Sequence, residues 1–278
     1  MPEGPEIRRA ADRIAKVLVD KPLQSVFFAF KELQRFSEEL SHSQVIKIET
    51  RGKALLTHFE SGLTIYSHNQ LYGRWYVVKS GNLPSTSRSL RMALHTKSHS
   101  ALLYSASDIS VWETPRLLEH PFLAKIGPDI LDENLNWRQV KELLVSDKFR
   151  NRALAAFYLD QSFLAGIGNY LRSEILFFAG VYPWAKPSQL TTKQLNAVAK
   201  CTLEISLRSY TTAGITNPPS RVKQLKASGL PRSKFRHGVF GRESGDCFSC
   251  GSRVIKDVVA SRRLYWCPSC QHENEVPS

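Results

Sequence analysis

Four cysteines near the end of the chain carry its most specific chemistry. Cys247-Phe248-Ser249-Cys250 and Cys267-Pro268-Ser269-Cys270 are two C-x2-C pairs, with sixteen residues between Cys250 and Cys267. This is the spacing of four-cysteine zinc sites. Four thiolates on two knuckles suit a tetrahedral ion with no open position, so the expectation is one structural zinc held by Cys247, Cys250, Cys267 and Cys270. Cys201 falls in a helical pattern with Leu195, Val198 and Leu203 and reads as a core residue.

A second group lies at the opposite end, in Met1-Pro2-Glu3-Gly4-Pro5-Glu6. Pro2 is small enough for Met1 to be removed ahead of it, which would expose a secondary amine. An α-amino group titrates near ~7.7–8.0, so an appreciable fraction is neutral and nucleophilic at physiological pH. Attack on an aldehyde-like carbon such as a sugar C1′ would give an iminium ion. Glu3 could then serve as general acid or base if burial raises its pKa. The same residues also read simply as an acidic lead-in to a helix. A third group, Gly166-Ile167-Gly168-Asn169-Tyr170, combines turn glycines with Asn169, a favoured N-cap; a helix start of this kind offers free N–H groups to phosphate. Glu174, further on, reads as a buried structural carboxylate without a catalytic role.

The elements that must position these groups change character along the chain. Ile7, Ala11, Ile14 and Leu18 have helical spacing, and Pro5 suits a first helical turn. From about Val26 to Ile109 the pattern becomes short alternating runs, including Gln44–Thr50, Ala54–Phe59, Leu63–His68, Arg74–Val78, Leu90–Thr96 and Ala101–Ser105. Turn residues separate them, as expected for a β-sandwich or barrel. After Pro121, Gly127 and Pro128, four helices are expected at Asn136–Val145, Asn151–Phe163, Tyr170–Ala179 and Thr191–Leu207. From Pro218-Pro219 to Pro231-Arg232 the chain is basic without hydrophobic periodicity, which suggests a linker or a loop that orders on a ligand. Arg253–Lys256 and Arg262–Trp266 are candidate strands between the cysteine pairs.

Composition narrows the partners. There are 38 Lys+Arg against 25 Asp+Glu, a net charge of +13, and hydrophobic residues make up 42%. That apolar content excludes a disordered or collagen-like chain. The charge points to a polyanion, because Lys and Arg replace phosphate counterions. Residues 221–278 hold 11 Lys+Arg and 5 Asp+Glu, so this stretch alone is +6. There is no apolar stretch before Arg8 to suggest a secretory signal. The longest apolar run, about Ala153 to Leu159, is far short of the ~18 residues of a membrane span. A soluble cytoplasmic protein is expected.

Taken in order, the Met1–Glu6 start, Arg51-Gly52-Lys53-Ala54-Leu55, the Gly-Ile-Gly-Asn-Tyr turn and the four-cysteine end resemble the formamidopyrimidine-DNA glycosylase/endonuclease VIII family, and within it the bacterial endonuclease VIII branch. The resemblance runs from Pro2 to about His272. It implies an α+β multidomain fold: an N-terminal β-sandwich flanked by helices, then a helix-two-turn-helix domain with a four-cysteine zinc-ribbon finger. The boundaries it suggests are 1–124 for the catalytic sandwich, 125–135 for a linker, 136–222 for the helical domain, 223–237 for a flexible basic loop, 238–272 for the finger and 273–278 for a tail.

The implied activity is that of a bifunctional DNA glycosylase/AP lyase acting on double-stranded DNA with oxidised bases or abasic sites, as a monomer, with no cofactor beyond zinc. In this resemblance Pro2 is the Schiff-base nucleophile, Glu3 the proton donor and Lys53 the lysine needed for β-elimination. Arg262 holds a phosphate and assists δ-elimination, and Asn169 contacts the DNA backbone. Gln70-Leu71-Tyr72 fills the gap left by an everted nucleotide; without the resemblance, Leu71 and Tyr72 would read as strand-edge core. Lys125 stands where that branch often has arginine, keeping charge but losing bidentate geometry, and Arg263 is a second arginine beside Arg262. Oxidised pyrimidines are the expected substrate. The alternatives are oxidised purines on the same fold, or a non-enzymatic zinc-ribbon nucleic-acid-binding protein.

Overall fold

The computed structural model describes residues 2–273 and divides into two compact units, 1–125 and 126–278. Met1 and residues 274–278 lie outside the described residues, and with them the expectation for Met1 removal and nearly all of the expected tail 273–278.

In the first unit, α1 (Gly4–Leu18) begins where the sequence predicts, with Pro5 in its first turn and Glu3 as N-cap. The Glu6 carboxylate reaches back to accept from the Glu3 N–H at 3.0 Å, which ties down the stub that carries Pro2. Ile7, Ala11, Ile14 and Leu18 are all buried, as their spacing requires. The strands are β1 (Leu23–Phe28), β2 (Val45–Arg51), β3 (Ala54–Phe59), β4 (Leu63–His68), β5 (Arg74–Lys79), β6 (Leu90–Thr96), β7 (His99–Tyr104) and β8 (Asp108–Glu113); short helices α2 (Lys31–Gln34) and α3 (Ser37–Ser41) follow β1. They form two antiparallel sheets ordered β1-β6-β7-β5 and β2-β3-β4-β8. One core joins Phe28, Met92, Leu94 and Leu103 of the first sheet to Leu55, Phe59 and Ile65 of the second, with α1 packed into it. The sandwich is therefore the alternative realised. Strand β3 is buried along its whole length, having a neighbour on either side.

In the second unit, α4 (Trp137–Val145), α5 (Leu154–Phe157), α6 (Asn169–Ala179) and α7 (Thr192–Thr211) share a core. Four expectations change. The predicted helix over Asn151–Phe163 shrinks to α5, because Asp160 takes hydrogen bonds from the Ser162 N–H and hydroxyl and turns the chain. Its apolar spacing instead reflects an aromatic cluster, with Phe157 and Phe163 rings 4.8 Å apart. The expected linker 125–135 is not a free tether after Lys125: Ile130 enters the core, and Asp129 bridges Ala165.

The segment 223–237 is not a loop either, but carries α8 (Pro219–Ala227) and α9 (Arg232–Phe235). Its helicity comes from end signals rather than periodicity. Pro219 sits at the first helical position; Gly229, at φ +78, donates to the Lys226 carbonyl while the Leu230 N–H donates to the Leu225 carbonyl. This is a Schellman closure, and Pro231 then caps α9. The finger itself is one hairpin of β9 (Ile255–Val259) and β10 (Arg262–Trp266), its first strand displaced two residues from the expected Arg253–Lys256. Arg253 instead bridges Asp246.

Helix α6 joins this unit together through side chains that are fully buried: Arg172, Ser173 and Glu174. The Glu174 carboxylate accepts from the amides of Gly238 at 2.7 Å, Val239 at 2.9 Å and Phe240 at 2.8 Å, and from the Thr216 hydroxyl. His237 lies in the same joint, with its Nδ1 3.2 Å from the Thr216 hydroxyl and its ring against Tyr170 and Phe240.

Two outcomes follow from this joint. Glu174→Ala strands three amides, two of them buried, so it should cost at least about 3 kcal/mol and remove hydrogen-exchange protection at residues 238–240. Burial also holds the His237 imidazole down at about 4, against the pull of Glu174 and with help from Arg236 and Arg232. The native state thus refuses a proton that the unfolded chain takes up below ~6.5. Stability should be full above that pH and fall as pH drops from about 6.5 towards 4. Denaturant midpoints at pH 7 and pH 5 should differ in the parent and differ less in His237→Gln.

Candidate functional site

In the first unit, Pro2 is half-buried directly ahead of Glu3, whose side chain is only 3% exposed. Helix α1 packs against β2 and β3, and these strands are joined by the two-residue turn Gly52-Lys53. Gly52 has φ +62 at the first central position, the place where a type II′ hairpin turn takes glycine. Lys53 is 7% exposed, so an ammonium and the Glu3 carboxylate are both buried in the same unit. Charged groups are seldom buried without a task or a partner.

The next turn presents the opposite pattern. Leu71 is 55% and Tyr72 67% exposed, on the tight turn between β4 and β5. The Gly73 N–H donates to the Asn69 carbonyl at 2.7 Å, and a Cβ on Gly73 would stand 2.5 Å from that same oxygen. Gln70, at φ +50, is held from both sides: its N–H donates to His68 Nδ1 at 3.0 Å, and its side-chain oxygen accepts from the Ser107 hydroxyl at 2.7 Å. Burial pulls the His68 imidazole below its usual value, opposed by Asp108 and aided by Lys53, which suits a neutral ring accepting that bond. His68 and Ser107 thus aim the loop, a role no local pattern announced. Neither Leu71 nor Tyr72 is strand-edge core. Lys125 ends the short 3-10 turn Leu123–Lys125 and is exposed, and its side chain forms no hydrogen bond or ion pair among the described residues.

In the second unit, the glycine turn leads into α6 with one change from expectation. Gly168, not Asn169, is the N-cap; Asn169 is the first helical residue, half-buried. Gly166 takes φ +109, a conformation L side chains rarely adopt. From this helix start, Arg172 and Ser173 reach the finger. Arg172 donates to the carbonyls of Arg263 at 2.9 Å and Arg262 at 3.4 Å, and to Ala155 at 2.5 Å. The Ser173 hydroxyl donates to the Asn169 carbonyl at 2.9 Å and accepts from the Tyr265 N–H at 3.1 Å. Asn169 and Arg262 are thereby tied to one helix.

The tip preceding Arg262 is a two-residue hairpin loop with both central residues at positive φ, Ala260 at +50 and Ser261 at +59. Type I′ turns of this kind favour Asn and Gly, so neither residue relieves the strain. Arg253 and Lys256 are engaged in ion pairs with Asp246 and Glu243. Arg262 and Arg263 are exposed and form no side-chain ion pair among the described residues.

The four sulfurs of Cys247, Cys250, Cys267 and Cys270 lie within 4.8 Å of one another, with Cys247–Cys270 at 3.8 Å and Cys250–Cys267 at 3.4 Å. A tetrahedral ion with Zn–S bonds of ~2.3 Å places its sulfurs ~3.8 Å apart, so the cluster can hold a metal ion. Gln271, fully buried, accepts from the Cys267 N–H at 3.0 Å and donates to the Val181 carbonyl at 3.1 Å, bracing the second knuckle. Cys201 stands apart, against the helical core, with burial pushing its thiol up to about 11.

Comparison with known proteins agrees with this arrangement. Residues 1–107 match the formamidopyrimidine-DNA glycosylase N-terminal domain, and 126–217 match the formamidopyrimidine-DNA glycosylase H2TH domain. Endonuclease 8 of Escherichia coli K12 is 50% identical over 272 residues, covering 98% of this chain and all of that protein, and Endonuclease 8 of Shigella flexneri is similar to the same extent. Among solved structures, Lactococcus lactis formamidopyrimidine-DNA glycosylase bound to abasic-site DNA shares the fold, with a TM-score of 0.79 at 19% identity over 98% of this chain and all of that one. The same enzyme with DNA containing an oxidised pyrimidine gives 0.80 at 20% identity over the same shares. With both domain matches in chain order and half of all residues shared with full-length relatives, the chain belongs to the formamidopyrimidine-DNA glycosylase/endonuclease VIII family of DNA glycosylase/AP lyases.

Proposed function

We propose that the chain removes oxidised pyrimidines from duplex DNA and cleaves the strand at the resulting abasic site, with the mature protein beginning at Pro2. The observation that carries this reading is the half-buried Pro2 held directly ahead of a buried Glu3, in the same unit as a buried Lys53. The Pro2 nitrogen attacks C1′ of the damaged nucleotide as the glycosidic bond breaks and the base leaves. Glu3 supplies the proton taken up as the sugar ring opens, and a cationic Schiff base remains. Loss of a C2′ proton then expels the 3′ phosphate, with Lys53 assisting, and the second elimination expels the 5′ phosphate, with Arg262 neutralising that group.

The base must leave the stack first, at a cost of a few kcal/mol. Exposed Leu71 and Tyr72 suit insertion into the gap with Gln70 beside them, while Lys125, Asn169 and Arg262 contact backbone phosphates. The exposure of these two side chains on one turn, with the full-length similarity to Endonuclease 8, favours the pyrimidine branch. The cysteine cluster holds one zinc, which supplies no chemistry to the reaction. Its ligands hold the basic hairpin in shape.

Five measurements test the reading. Intact mass should show Met1 absent, and borohydride should trap the protein on DNA with an abasic site; a variant with an extra residue before Pro2 should not trap at all. Retained Met1 with undiminished trapping would exclude Pro2 as nucleophile. Metal analysis should find one zinc per chain, lost in Cys267→Ser and kept in Cys201→Ser, and the former should weaken DNA binding. In single-turnover excision, thymine glycol should leave faster than 8-oxoguanine from matched duplexes; the reverse order would assign the chain to the purine branch. Gly73→Ala should slow that excision, because its Cβ must displace the Asn69 backbone and with it the wedge.

A further inference from the structure

We propose that α8 and α9 form an additional docking surface for the sugar-phosphate backbone of duplex DNA, built on Lys223, Lys226 and Lys234. The inference rests on the reading of the chain as a DNA enzyme, and it adds residues outside the site described above. Residues 205–242 contain eight Lys and Arg and no Asp or Glu. The arginines and lysines in this stretch divide by role. Arg221 donates to the Ser249 hydroxyl in the first cysteine knuckle at 2.9 Å, fastening α8 to the finger. Arg232 donates to the Ala213 carbonyl at 2.5 Å, and Arg236 to Gly214 at 3.3 Å, fastening α9 to the end of α7. Arg208 pairs with Glu204.

The lysines fasten nothing of this kind. The side chains of Lys223, Lys226 and Lys234 are exposed and form no ion pair or hydrogen bond among the described residues; that of Lys226 only rests over the Phe235 ring, 5.6 Å from its centre. Lys223 and Lys226 are three apart on α8 and so lie on one face with no carboxylate to offset them. That helix buries no residue at all. A helix polar nearly all round needs either opposite-charge pairs or a partner across it, and α8 has no such pairs. Its ends are instead closed by Pro219 and by the Gly229 turn, so the lysines are presented on a rigid frame joined to the finger. Uncompensated lysines on an ordered strap fit a polyanion, and phosphates lining a duplex are the complementary partner.

The test compares the wild type with a triple variant, Lys223→Gln, Lys226→Gln and Lys234→Gln, and with the corresponding triple Lys→Arg variant. Both replacements keep helix propensity close to that of lysine. Binding to a duplex with a reduced abasic site is measured over a range of salt concentrations. The Gln variant should flatten the plot of log affinity against log salt by about 0.9 for each phosphate it no longer neutralises, while the Arg variant keeps the wild-type slope. Single-turnover excision at saturating enzyme should be the same in all three. Equal slopes in the wild type and the Gln variant would overturn the proposal, as would an equal flattening in the Arg variant. Borohydride trapping by the wild type tests the enzymatic reading separately: a lysine-dependent slope without trapping would uphold this surface and remove that reading.

Discussion

Burying charge without losing its hydrogen bonds is the constraint on which the second unit depends. Arg172 and Glu174 are fully buried two residues apart on α6, where an unsatisfied ion would cost several kcal/mol. Glu174 is satisfied by groups far along the chain, and Arg172 engages backbone carbonyls through its two terminal nitrogens. Glu174 collects the amides of residues 238–240, and Arg172 collects the carbonyls of the first two residues of β10. The finger cannot slide along the helix without breaking several such bonds at once. The same helix starts at the glycine turn, so that turn and the arginine-bearing hairpin are set by one rigid element.

The first unit reaches a comparable rigidity with turns. Gly52 lets β2 reverse into β3 and seats Lys53 at the reversal, and Gly73 permits a backbone approach that any Cβ would block. Helix α1 starts one residue after Glu3, so capping the helix also fixes the residue beside Pro2. Groups placed on tight, hydrogen-bonded turns lose little entropy when a ligand arrives, which is the advantage of preorganisation.

Surface chemistry follows the opposite logic. Leu71 and Tyr72 expose apolar area to water although a well-packed sandwich lies beneath them, and the Ala260-Ser261 tip holds strained backbone although Gly would relax it. Both features oppose stability in the free protein, as exposed apolar area and strained backbone do at surfaces kept for a partner. The exposed arginines of β10 differ in the same way from Arg253 and Lys256, whose charges are already paired.

Local chemistry was legible in the sequence by itself. Cysteine spacing located the knuckles, helical periodicity located α1, and strand alternation located most of the sandwich, because each depends on residues a few positions apart. Family resemblance added roles for Pro2, Glu3, Lys53 and Arg262. What only the tertiary structure decided depends on contacts between residues dozens of positions apart. Apolar spacing over 151–163 predicted a helix, but an Asp160 turn and an aromatic cluster settled it otherwise. Asn169 had the better N-cap side chain, yet backbone geometry gave that place to Gly168. The segment 223–237 lacked periodicity because α8 buries nothing, and periodicity records only burial. Arg172, Glu174 and Gln271 were invisible as supports for the finger for a related reason: a polar residue in a sequence shows no partner until folding brings the partner to it.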